Sequence, residues 1–94
     1  NTFLEDLYHK LDDIEQIDDV IFSDGVLTIK WTPTQIYVLN KQAPNLQIWL
    51  SSPISGPLRY EFKNDSWVNL TDGHELLGRI SEEIGDIFGT RVDL

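Results

Sequence analysis

Two groups of side chains in this 94-residue sequence have the types and spacing to do chemistry. The first is acidic. Asp12, Asp13, Glu15, Asp18 and Asp19 fall within eight residues, and His9 stands four positions before Asp13. Carboxylate oxygens suit hard cations. On a helix, residues four apart share a face, so His9 and Asp13 could reach one ion together. The plainer reading of such a charge run is a solvated face. The second group lies in "NKQAPNLQIWLSSPISGPLRY", residues 40–60, where Asn40, Lys41 and Gln42 accompany Trp49 and Arg59. In "QIWLS", alternation assigns Ile48 and Leu50 to the core and turns Trp49 outward. Arg59 also turns outward if Tyr60 and Phe62 face in. The pair could then stack, at about 0.5–1 kcal/mol for an exposed cation–π contact. Trp and Arg are enriched in binding hot spots. An outward Trp can also do no more than cover part of a sheet, and Trp67 is open to the same reading.

These residues need elements to position them. Phe3, Leu4, Leu7, Leu11 and Ile14 recur at helical spacing, which predicts a first helix over residues 3–16 on which Asp12, Asp13 and Glu15 are exposed. Thr2 and Glu5 have the spacing of a capping box. Short alternating segments follow at 19–23, 26–31, 35–40, 47–51, 58–62 and 67–70, separated by Gly, Pro, Asn and Asp. Asp24-Gly25 favours a tight hairpin. Thr71 or Asp72 is the expected cap of a second helix, whose apolar stripe is Leu76, Leu77, Ile80, Ile84, Ile87 and Phe88 and whose stop is Gly89. The expected fold is α+β. It is a two-layer α-β-sheet-α sandwich: an antiparallel sheet of about six strands, with both terminal helices packed on one face. One domain is expected to span residues 1–94. The other sheet face is left for water or a partner. In the tail "TRVDL", Val92 and Leu94 could cover the groove between the helices.

Composition narrows the function. The formal net charge is −9, and eight of the sixteen acids lie in the first 24 residues against Lys10 alone. That balance opposes binding to nucleic acid or an anionic membrane. No apolar run approaches the roughly 20 residues of a membrane-spanning helix. Without cysteine there is no thiolate metal site, disulfide or Cys nucleophile. Ser51, Ser52 and Ser55 lack a recognisable His–Asp pair, so a hydrolase is not expected. His74, in the first turn of the second helix, reads as a surface residue. No catalytic residue is assigned.

The run "YVLNKQAPNLQIWLSSPISGPLRYEF", with "DGVLTI" before it and "NDSWVNLTDG" after it, closely resembles the signature of the frataxin family, of the mitochondrial type. The resemblance implies the antiparallel sheet with two helices on one face. It also implies a protein of the mitochondrial matrix whose targeting segment is absent from this chain. The implied function is regulation of iron–sulfur cluster assembly, by binding the cysteine desulfurase–scaffold complex and promoting sulfur transfer. By position, Asn40, Lys41, Gln42, Trp49 and Arg59 match the family's partner-contacting sheet residues. His9, Asp12, Asp13, Glu15, Asp18 and Asp19 become the expected weak ligands for Fe2+ or Fe3+, in a labile ion cloud. The alternative is a ferroxidase or iron chaperone delivering iron for cluster and heme synthesis. A monomer is expected, with an iron-dependent oligomer as the variant.

Overall fold

The computed structural model describes residues 2–42, 46–89 and 94. Helix α1, Thr2–Asp12, is followed by strands β1 (Asp19–Ser23), β2 (Val26–Thr32), β3 (Gln35–Gln42), β4 (Gln47–Ser52), β5 (Gly56–Lys63) and β6 (Ser66–Asn69), then by helix α2, Leu76–Phe88. The strands form one antiparallel meander in the order β1-β2-β3-β4-β5-β6. The reason is local: each connection is short enough that consecutive strands must pair side by side. Asp24 and Gly25 both have positive φ, 54° and 76°, as a two-residue hairpin with the right twist requires.

Leu4, Leu7 and Leu11 of α1 and Leu76, Ile80 and Ile84 of α2 are buried in one core. They meet the inward side chains Leu27, Ile29, Trp31, Tyr37, Leu39, Ile48, Leu50 and Tyr60. The expected two-layer sandwich is therefore the observed one, with one face of the sheet uncovered. Gly89 ends α2 at φ 69°, its N–H bonded to the Gly85 carbonyl.

Four expectations change. The first helix stops at Asp12, four residues early, and Ile14 instead donates its N–H to the Leu11 carbonyl at 3.0 Å in a tighter turn. The second helix starts at Leu76 behind Glu75, which makes no side-chain cap bond. Residues 70–74 form a loop stapled to β6 instead: Asn69 Oδ1 accepts from the N–H groups of Thr71 (2.9 Å) and Asp72 (3.1 Å). Trp67 is only 7% exposed, so it belongs to the core, packed on Phe3 with ring centroids 5.8 Å apart. Phe62, directly opposite it in the register, is 57% exposed and touches Trp67 edge-on at 5.3 Å. It shares Trp67's face but lies where neither helix reaches. The tail residue Val92 lies outside the described residues. Leu94 packs against the core and donates its N–H to Ser81 Oγ at 3.1 Å.

Candidate functional site

Strand register builds the site on the uncovered face. Asn40 of β3 lies opposite Trp49 of β4, and Trp49 lies opposite Arg59 of β5, so the three make one row across the sheet. The Arg59 guanidinium carbon sits 4.8 Å from the Trp49 ring centroid, the stack expected from alternation. Trp49 remains 38% exposed, and its indole N–H donates to Gln47 Oε1 at 3.1 Å. Gln42 donates to Asn40 Oδ1 at 3.1 Å and joins the same face. Lys41 does not. It stands between Asn40 and Gln42 and opposite the inward Ile48, so its side chain leaves from the helix side of the sheet. A second row, Val38, Ser51 and Pro57, borders the first, and the two line a shallow groove of about 320 Å³. Alternation in "QIWLS" already turns Ser51 outward with Trp49, whereas Val38 and Pro57 went unremarked in the sequence.

The acidic group forms a ridge at the other end of α1. Asp12 closes the helix, Asp13 and Glu15 lie in the turns after it, and Asp19 begins β1. Asp12, Asp18 and Asp19 share a dent of about 130 Å³ floored by Leu11, Ile14, Ile17 and Val20. His9 is exposed within α1, its ring 5.3 Å from Tyr8, while Asp13 lies beyond the helix end. The shared helix face expected of His9 and Asp13 is thus absent. Among the described residues no three His, Asp or Glu side chains converge on one ion position. Lys30 reaches the ridge from β2, 3.5 Å from Asp18, with both side chains about two-fifths exposed.

A third arrangement, missed in the sequence, lies between α2 and the sheet. His74 is no bare surface residue. Its Nε2 is 2.7 Å from the Tyr60 hydroxyl, and its Nδ1 is 2.5 Å from Asp72 Oδ1. Arg79 Nη2 also stands 3.3 Å from Nδ1, so the ring bridges the Tyr60 hydroxyl on one side and the Asp72–Arg79 pair on the other. The His74 backbone N–H, then its ring, hold the exposed Asp72 carboxyl below its usual range. Burial, with Glu83 and Asp72 adding and Arg79 opposing, pushes the Tyr60 hydroxyl up to about 12. Burial first, and then its bond to Glu83, raise Tyr37 as well. Both tyrosines bind their protons more tightly folded than unfolded. Their contribution is whole below the ordinary tyrosine pKa of about 10 and is lost as pH rises through the folded value. Urea unfolding followed by circular dichroism is therefore expected to show stability falling between about pH 10 and 12. Tyr60→Phe is expected to lose less over that interval than the parent. An equal loss in both proteins would remove Tyr60 from the cause.

A family model described as "Frataxin-like domain" matches residues 1–90. This chain belongs to the frataxin family. It is 43% identical to the mitochondrial frataxin homolog of Saccharomyces cerevisiae, over 83% of this chain and 49% of that protein. It is 39% identical to the mitochondrial frataxin-like protein of Leishmania donovani, over 100% of this chain and 55% of that protein. The chain thus spans about half the length of these frataxins. Among solved structures it is similar to trimeric yeast frataxin with its full-length N-terminus, at a TM-score of 0.84 and 37% identity, covering 95% of this chain and 78% of the other. A yeast frataxin structure described as complexed with ferrous matches with the same TM-score and identity, covering 95% and 84%.

Proposed function

We propose that this frataxin-family chain acts as a single domain that activates iron–sulfur cluster assembly in the mitochondrial matrix. It docks on a cysteine desulfurase–scaffold complex through the outer sheet face and promotes sulfur transfer. The observation that carries the proposal is the row Asn40, Trp49 and Arg59: an aromatic–cation stack on the sheet face opposite the two helices. Residues of these types anchor interfaces because they bury large areas and retain polar contacts at the rim. The relatives' mitochondrial names support the compartment.

Iron is cargo in this reading. The yeast relative described as a ferrous complex supports iron binding, and the exposed acids of the ridge are its proposed, weak ligands. Exposed, unconverged carboxylates suit a loosely held, exchangeable ion. Trimeric yeast frataxin supports an oligomeric form, and the proposed reading is a monomer that assembles when iron is bound.

The test is cluster assembly reconstituted with and without the chain at one fixed iron concentration. The expected result is a faster rate with the chain present, without change in the amount of iron supplied. An unchanged rate, together with faster Fe2+ oxidation by oxygen dependent on Asp12, Asp13 and Asp19, would favour the ferroxidase and iron-chaperone reading.

A further inference from the structure

The apolar stripe of α2 contains one acid. Glu83 lies seven residues after Leu76 and three after Ile80, on the helix face turned to the sheet, and is 5% exposed. Its Oε1 accepts hydrogen bonds from the Tyr37 hydroxyl at 2.5 Å and from Ser52 Oγ at 2.7 Å. Its Oε2 accepts from Ser55 Oγ. Arg79, one turn earlier, places Nη1 4.0 Å from Oε2 and 3.4 Å from Ser55 Oγ. Ser52 Oγ in turn accepts the N–H groups of Ile54 and Ser55, both at 3.0 Å, and so shapes the whole turn between β4 and β5.

The three hydroxyls are not scattered. Tyr37 is on β3, three residues before Asn40. Ser52 ends β4, three residues after Trp49. Ser55 immediately precedes β5, the strand of Arg59. An odd spacing along a strand puts two side chains on opposite faces. One carboxyl group therefore grips, from beneath, β3 and β4, two of the strands that carry the Asn40–Trp49–Arg59 row on top, and with them the turn that leads into β5. A buried acid is costly unless its oxygens are hydrogen-bonded, and fold stability alone would be served as well by replacing Glu83 and its hydroxyl partners together with apolar side chains.

We infer that Glu83 is a positioning residue: it sets the relative placement of β3, β4 and the β4–β5 turn, and so the spacing of the outer docking row. The inference rests on the partner-binding reading of that face. Glu83→Gln keeps the shape but replaces one acceptor oxygen by an amide N–H2, so that either the Ser55 hydroxyl or the Tyr37 and Ser52 hydroxyls lose their acceptor, and Arg79 loses the carboxylate charge.

The test uses the full chain. Glu83→Gln and the milder Ser55→Ala are compared with the parent for thermal unfolding, for affinity to the desulfurase–scaffold complex, and for the NMR cross-peak of the Trp49 indole N–H. Glu83→Gln is expected to bind about tenfold more weakly while folded, the scale of couplings between residues that share no ligand contact. Ser55→Ala is expected to follow in the same direction with a smaller loss. The Trp49 indole signal is expected to shift in both, which a purely structural role would not cause. On a Trp49→Ala background, Glu83→Gln is expected to add little, since both act through one contact. If Trp49→Ala weakens binding but both other variants bind like the parent with the indole signal unmoved, positioning is wrong and the docking face stands. If Trp49→Ala itself binds like the parent, the docking face is wrong, and an unmoved indole signal then overturns positioning as well. Should Glu83→Gln fail to fold, Ser55→Ala decides by the same readings.

Discussion

Trp49→Ala is expected to weaken binding to the desulfurase–scaffold complex by about thirtyfold or more, the loss typical of a hot-spot aromatic. Stability is expected to change by only about 1 kcal/mol, the scale of a lost cross-strand pair and an exposed cation–π contact. The separation of these two effects comes from where the ring lies. Its contacts within the fold are the Arg59 stack and the bond to Gln47 Oε1, both on the outer face. Neither helix packs on that face, so truncation opens no cavity in the core. Lys41→Ala is the internal control, because Lys41 is adjacent in sequence to Asn40 but leaves from the opposite face. It is expected to bind within about threefold of the parent, as a surface substitution outside the interface should. Thermal unfolding and a titration of the complex read both quantities. A stability loss on the order of 3–5 kcal/mol, as for a buried Trp, would place Trp49 in the core and remove it from the interface.

Trp49 was legible because strand parity is a local rule. Ile48 and Leu50 are apolar neighbours, so the residue between them must point away, and no tertiary information is needed. Asp24-Gly25 and the stripes of both helices are read by other local rules, turn chemistry and the helical period, and only the strands by parity. Parity misplaces Phe62 and Trp67, which share the helix side of the sheet, because it gives the face and not the cover. How far α1 and α2 extend over β5 and β6 decides that Trp67 is buried against Phe3 while Phe62 emerges into solvent. The family resemblance assigned Lys41 to the docking group along with its neighbours, although parity separates it from Asn40. Glu83 was legible in part, as a charged residue on an apolar stripe. Its meaning was not, since Tyr37, Ser52 and Ser55 come from elements 28 to 46 residues away in sequence. His74 failed for the same reason: its partner Tyr60 is 14 residues upstream, across the β5–β6 hairpin.

The acidic ridge gives the other large effect. Asp12→Asn, Asp13→Asn and Asp19→Asn, combined in one chain, are expected to raise the melting temperature at low ionic strength and to weaken iron binding strongly. Two exposed like charges about 7 Å apart in water repel by about 0.6 kcal/mol before salt screens them. Relief of about 1 kcal/mol on that scale raises the melting temperature by about 4–8 °C in a chain of this size. Asp19 Oδ1 accepts the Val20 N–H at 2.9 Å, a bond that the Asn carbonyl oxygen can keep. Asp18 stays as Asp in this variant because Lys30 already offsets its charge at 3.5 Å. Asp18→Asn alone is expected to be neutral or slightly destabilising, since an exposed ion pair contributes about 0–1 kcal/mol. Added salt is expected to stabilise the parent more than the triple variant, because only the parent has much repulsion left to screen. Iron is expected to stabilise the parent as well, since an ion bound by the folded chain and not by the unfolded one shifts the equilibrium toward folding. Thermal unfolding at two salt concentrations, with an anaerobic Fe2+ titration followed by NMR line broadening, measures all of this. A triple variant that is less stable than the parent, and that broadens at the same residues, would make the ridge structural and move the iron elsewhere.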